Sequence, residues 1–305
     1  MATYYPLVNI NGFLQEMPLG YQLKNNPTWL GNRGIFGGGY TGVSDGTIDY
    51  VNISTAGNAT SFGTMSTVRR YASACSDSTR GVFGGGYSSV VVNTIDYITI
   101  ATTGNAVAFG ALTSARYGGA ACSNALKGLF GGGVNSTTID YITIATTGNA
   151  VTFGALSLGG SGEAACSSSV RGIFSISAGS NRIDYITIST TGNSIYFGDL
   201  TVARNYLAAC SDGIRGIFSG GGGYNIIDYI TIANTGNATD FGDLTTPLGV
   251  TPGSCSNGTR GIVGGGLNGG VINTITYVTI QTTGNATYYG DLSVARDATT
   301  ACSGN

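Results

Sequence analysis

The chain predicts an all-β fold, a six-bladed β-propeller closed by its own C-terminal strand, and three observations carry that expectation. An apolar run ending in glycines, Arg80-Gly81-Val82-Phe83-Gly84-Gly85-Gly86, has relatives at Arg33, Lys127, Arg171, Arg215 and Arg260, spaced 44 to 47 residues apart. A period in that range belongs to propellers, solenoids or arrays. The second observation is a constant interval of 12 residues from a Tyr to a following aromatic in all six copies, Tyr50 to Phe62 through Tyr277 to Tyr289. The third is phase. The copies begin on what reads as the second strand of a four-stranded unit, and the chain finishes on a first strand, Ala301-Cys302-Ser303-Gly304-Asn305. A rod would need polar capping units at both ends. In a ring, the last strand pairs with Gly34 to Gly37 and leaves no large edge open.

The second copy displays the unit best. Strand one is Ala72 to Cys75, strand two Gly81 to Gly84, strand three Thr94 to Ile100, and strand four Ala106 to Gly110. Thr102-Thr103-Gly104-Asn105 between strands three and four reads as a hairpin turn, with Gly and Asn taking positive φ. No stretch has a helical period. Residues 33–305 form the expected propeller and residues 1–32 stand outside the repeat as an N-terminal arm. In the arm, Asn11-Gly12 lies between apolar alternations, a short-range hairpin signal, and Pro18, Gly20 and Pro27 lead to the single Trp29. Two readings of the arm stand: a segment lying on the propeller, or a docking peptide for a partner.

Composition excludes several function classes. The 305 residues are 42% hydrophobic, enough for a sizeable core, and only 9% charged, with a net charge of −2. The 13 Lys and Arg are dispersed, so nucleic acid is not an expected partner. No run approaches the roughly 18 apolar residues of a membrane span, and the first residues lack the basic start of a secretory signal. With no histidine, Ser-His-Asp and Cys-His nucleophile systems and His-based metal sites are gone. The glycine triplets are followed by neither Lys-Ser/Thr nor a helix, so they are not phosphate loops. Asp45-Gly46 and Asp212-Gly213 read as turns. No catalytic residue, metal or cofactor is expected, and the chain is read as a non-enzyme. The six cysteines occupy the same place in each unit. Such positions in neighbouring blades lie beyond the roughly 7 Å Cα limit for a bridge, so they read as free, buried thiols.

Asp recurs in strand three at positions 49, 96, 140, 184 and 228, with Thr276 in the sixth copy. It is expected to be partly buried between blades and to need a cation. Two sets of candidates stay open: the Arg or Lys opening strand two, and the Arg ahead of strand one (Arg69, Arg116, Arg204, Arg296). The change to Thr276 coincides with the loss of neither set, so the sequence does not choose between them.

Length variation falls in the two-to-three loops and in one four-to-one loop, which emerge on the same face of a meander. Loops carry recognition on rigid scaffolds. This face is therefore the expected contact surface, with Tyr40, Tyr87, Arg182 and Tyr224 as candidate binding residues.

The glycine run closing strand two, the strand-three Tyr and the leading Arg together resemble the kelch repeat family of β-propellers over residues 33–305. The chain departs from kelch in carrying Phe, after a longer hairpin, where kelch carries Trp soon after the Tyr. In two copies Gly160 and Gly249 replace the leading Arg. The near-identical repeats, the Thr-Gly-Asn-Ala segments and the Pro6 to Pro18 arm resemble virion proteins of tailed bacteriophages, tail-fibre or capsid-attached. That resemblance implies a virion location and a structural or receptor-binding module. Residues 1–32 would hold it to other virion proteins, and the loop face would meet a host-surface glycan or protein. The alternative is a free carbohydrate-binding, lectin-like propeller with Tyr40, Tyr87 and Tyr224 stacking on sugars.

Overall fold

The computed structural model describes residues 7–10, 13–16, 31–134, 136–177, 179–250 and 252–305. Those residues form a two-stranded hairpin and six four-stranded antiparallel sheets. The hairpin pairs Leu7–Ile10 with Phe13–Glu16, Ile10 opposite Phe13, in the register that the Asn-Gly signal predicts. The stretch from Pro18 to Trp29 lies outside the described residues.

Each sheet is one blade. Blade two consists of Ser73–Ser76, Arg80–Gly84, Thr94–Thr99 and Val107–Ala111 in that order, from the axis outward. Blade one takes its innermost strand from the far end of the chain: Thr300–Gly304 pairs with Arg33–Tyr40, Cys302 opposite Ile35. The innermost strands of blades two to six and one contact their neighbours in a closed circle, so the ring is complete and C-terminal closure holds.

Strand two reads as a nearly continuous apolar run because a blade is covered on both faces by its neighbours. The core is accordingly six clusters between blades, one per interface. Phe83, fully buried, reaches back to blade one, where a β-carbon on Gly37 would lie 2.8 Å from its ring. The cysteines work likewise. Each Sγ lies 2.6–3.1 Å from where a β-carbon would stand on the first strand-two glycine of the next blade, in all six interfaces: Gly34, Gly81, Gly128, Gly172, Gly216 and Gly261. The Arg-Gly pair is thus kept for close approach rather than for a turn. All six thiols are free and buried, and burial pushes those of Cys122 and Cys302 up to about 12. Overpacking a filled core costs about 1–3 kcal/mol, so Gly128→Ala, facing the Cys75 sulfur at 2.6 Å, is expected to lower stability by that amount. Adding Cys75→Ala should recover most of the loss in urea melts.

Strand four carries a β-bulge in every blade. In blade two, Ile95 faces Gly110 while Asp96 faces Ala108, leaving Phe109 as the extra residue. The bulge turns Phe109 edge-on to Tyr97, centroids 5.9 Å apart at 80°, and the other five pairs repeat that geometry. This is what holds the Tyr-to-aromatic interval at 12 residues.

The Thr-Gly-Asn segment takes positive φ only at Gly192, Gly236 and Gly284, at 156–159°, close to fully extended, and so is not the tight turn expected of it. None of its asparagines has positive φ. It runs along strand four of the preceding blade: Gly104 N–H donates to the Phe62 carbonyl and Ala106 N–H to that of Thr64. The Asn105 side-chain oxygen accepts from Thr64 N–H at 3.1 Å, and the other five asparagines do the same. Tertiary pairing displaced the local turn preference, and in doing so it covers part of each outer edge strand.

Strand-three Asp is wholly buried, not partly, and its cation comes from the loop entering its own blade. Arg69 pairs with Asp96, Arg116 with Asp140, Arg204 with Asp228 and Arg296 with Asp49, at 2.8–3.0 Å. The Arg or Lys opening strand two instead stacks on the strand-three Tyr at 4.4–5.0 Å. The apparent independence of Thr276 from cation loss is corrected by the same geometry. A blade is phased one strand ahead of the chain repeat, so the cation position belonging to Thr276 is Gly249, and both charges are missing from blade six together. In blade four Gly160 removes the Arg while Asp184 stays, and Arg182 takes over at 2.6 Å.

Candidate functional site

The two faces of the ring differ in kind. On the face of the one-to-two turns, Ser76, Ser123, Ser167, Ser211, Ser256 and Ser303 form a closed circle around the axis. Each hydroxyl donates to the carbonyl of the preceding serine at 2.5–2.7 Å. A cavity of about 80 Å³ lies within this circle. The turns here repeat closely. Asp77 and Asp212 each accept two backbone N–H groups, which makes Asp212 a turn residue as its Asp-Gly signal predicts.

The opposite face carries the two-to-three and four-to-one loops together: Arg70 and Tyr87 exchange backbone hydrogen bonds, as do Tyr40 and Asp297. Part of a second circle runs here through backbone groups, across five of the six blades. Tyr71 N–H donates to Ala298, Gly118 to Tyr71, Gly162 to Gly118 and Tyr206 to Gly162. The residues of this circle have positive φ: 54° at Tyr71, 70° at Gly118, 82° at Gly162, 59° at Tyr206 and 49° at Ala298. Glycine accepts that conformation freely, and a bulky side chain does not.

Two tyrosines nevertheless occupy it. Blades two and five face each other across the axis, and the rings of Tyr71 and Tyr206 meet there, 6.1 Å apart and tilted by 42°. Tyr117 adds to Tyr71 at 5.9 Å, and Tyr87 to Tyr117 at 5.7 Å. Arg70 lies between Tyr40 and Tyr87, its guanidinium 4.3 and 5.0 Å from their ring centroids. Beneath the Tyr71–Tyr206 pair is an axial cavity of about 60 Å³, lined by alanines, by Ser73, Ser254, Thr299 and Thr300, and by Glu163 as its one ionisable residue.

Glu163 is buried with neither carboxyl oxygen hydrogen-bonded in good geometry among the described residues. Desolvation pushes its pKa up to about 7, partly offset by the nearby N–H groups of Glu163 itself, Gly133 and Gly160. The native state therefore holds this proton more tightly than the unfolded chain does. The resulting stability is complete below about pH 4.5 and is lost as pH rises to and past 7, a loss of about 3 kcal/mol. Glu163→Gln is expected to flatten stability across that window, as read by denaturant unfolding at pH 5 and pH 8.

Among the four candidates from the sequence, Tyr40 and Tyr87 come together around Arg70. Tyr224, 42% exposed, stands apart at the start of strand three in blade five. Arg182 donates to Asp184 and stacks on Tyr196 at 4.7 Å. Sequence reasoning missed Arg70, Tyr71, Tyr117 and Tyr206. A signal was available: the two residues four and five before each Cys read Arg-Tyr, Tyr-Gly, Ser-Gly, Asn-Tyr, Val-Thr and Asp-Ala, a variable pair inside an otherwise repetitive stretch. Among the described residues no three His, Cys, Asp or Glu side chains gather as a metal-holding set.

No protein-family model matches the chain, and no similar curated protein was found.

Proposed function

We propose that this chain is a non-enzymatic recognition module, a kelch-like propeller that presents its loop face to a target while residues 1–32 tie it to a larger assembly. The setting that fits the resemblances is a tailed-phage virion, with a host-surface glycan or protein as the target. One observation carries the reading. Five of the six interfaces between blades share one pattern of Cys, Gly and aromatic contacts, whereas the loop face differs from blade to blade and gathers aromatic rings around a guanidinium. Repetition without variation serves the ring, and variation on one face serves a partner.

The test substitutes Tyr40→Ala, Tyr87→Ala and Tyr224→Ala together and compares that variant with Thr103→Lys and Thr147→Lys on the serine-circle face. Arg182 is left in place because removing it would strand buried Asp184. Adsorption to host cells is expected to be lost in the first variant and retained in the second, and deleting residues 1–30 should abolish incorporation into particles. Loss of adsorption only in the second variant would mean that the ring presents its other face.

A further inference from the structure

The axial tyrosines raise a question that their own backbone sharpens. Blades three and four place glycine at this point of the circle, Gly118 and Gly162, where φ is 70° and 82°. Blades two and five place Tyr71 and Tyr206 in the same region, at 54° and 59°, where a side chain is strained and glycine is not. Strain of this kind gathers at functional sites. The rings are not filling a core, since both are only partly buried. They sit where the loop face has its centre, the place where binding hot spots concentrate.

The surroundings narrow the ligand. The nearby charges are engaged or buried: Arg70 is stacked between two rings, Asp297 is buried with its pKa raised by desolvation, and Arg69, Arg116, Arg204 and Arg296 are in buried ion pairs. Apart from the partly exposed Arg70 guanidinium, 5.9 Å from the Tyr71 ring, what faces outward is neutral, with rings tilted at 42° and 47° to one another rather than parallel. Such a dish is too open to clamp a flat base between parallel faces. It suits a pyranose chair, whose C–H faces stack on aromatic rings while its hydroxyls meet polar neighbours such as Ser161, whose hydroxyl lies beside Gly118. Among the described residues, the phenol oxygens of Tyr71, Tyr117 and Tyr206 have no hydrogen-bond partner.

We infer that Tyr71, Tyr117 and Tyr206 form a binding platform for a neutral saccharide over the propeller axis. This rests on the loop face being the recognition face and names the class of ligand it takes.

The experiment uses the full chain with a panel of neutral hexose and N-acetylhexosamine oligosaccharides, observed by saturation-transfer difference NMR. The variant is Tyr71→Gly with Tyr206→Gly, which removes both rings and relieves both strained positions, so its melting temperature should equal or exceed that of the parent. Saturation of sugar ring protons by the parent, reduced at least tenfold in the variant, supports the platform. Sugar binding that survives in the variant overturns it. If no sugar is saturated but the variant still loses adsorption to cells, the platform contacts a protein, and the saccharide assignment falls while the loop-face reading stands. If no sugar is saturated and adsorption is unchanged in the glycine variant, the saccharide assignment again falls. Adsorption that also survives the Tyr40, Tyr87 and Tyr224 variant then removes the loop-face reading as well.

Discussion

Deleting Thr299–Asn305 is expected to abolish cooperative unfolding and drive the chain into aggregates. The segment supplies the whole innermost strand of blade one. Ser303 takes part in two of the six hydrogen bonds of the serine circle, donating to Ser256 and accepting from Ser76. Cys302 fills the space against Gly81 of blade two, and the Thr299 hydroxyl donates to the Gly37 carbonyl. Without these residues the strand from Arg33 to Tyr40 becomes an open edge, and open edges recruit other chains. The loss is comparable to the roughly 5–15 kcal/mol that holds a typical domain folded. Size-exclusion chromatography and a thermal melt monitored by circular dichroism test it; a truncated chain that stays monomeric and melts unchanged would show that closure adds nothing. A graded version is Ser303→Ala, which removes one hydroxyl donor at a cost of about 1 kcal/mol.

The second large effect concerns the buried ion pairs. Arg69 and Asp96 are both completely buried, 3.0 Å apart, and desolvation lowers the Arg69 pKa more than Asp96 restores it. Removing one partner leaves an uncompensated buried charge, which costs about 3–5 kcal/mol. Arg69→Gly alone should therefore be severely destabilising, with Asp96 left holding, among the described residues, only the Ser66 hydroxyl. Arg69→Gly combined with Asp96→Thr copies what blade six already has at Gly249 and Thr276, and it should recover most of the stability. Urea unfolding of the two single variants and the double measures the coupling. A double variant no more stable than Arg69→Gly would mean that the arginine acts by packing alone.

Blade four shows why such pairs resisted reading from the sequence. Arg182 was conspicuous as a cation that breaks the repeat, and a contact role followed naturally. Only the fold shows that the break at Gly160 leaves Asp184 without its usual partner and that Arg182, two residues away on the same strand, supplies the replacement. In the same way the Arg-Gly pair gave no sign of what its glycine faces, and Thr-Gly-Asn looked like a hairpin tip. The first is a cradle for a sulfur from the preceding blade, and the second is a staple onto the preceding blade. Both were visible as repeated letters, but the partner that explains each lies one blade away.

The sequence by itself determined the number of blades, the strand order within each, the closure by the C-terminus and the face on which the blades differ. Those follow from periodicity, spacing and phase, which are properties of the chain in one dimension. Tertiary structure alone decided which charges pair, why the small residues are small and where the variable residues meet. Tyr71 and Tyr206 are 135 residues apart and come from opposite blades, so their contact over the axis exists only once the ring has closed.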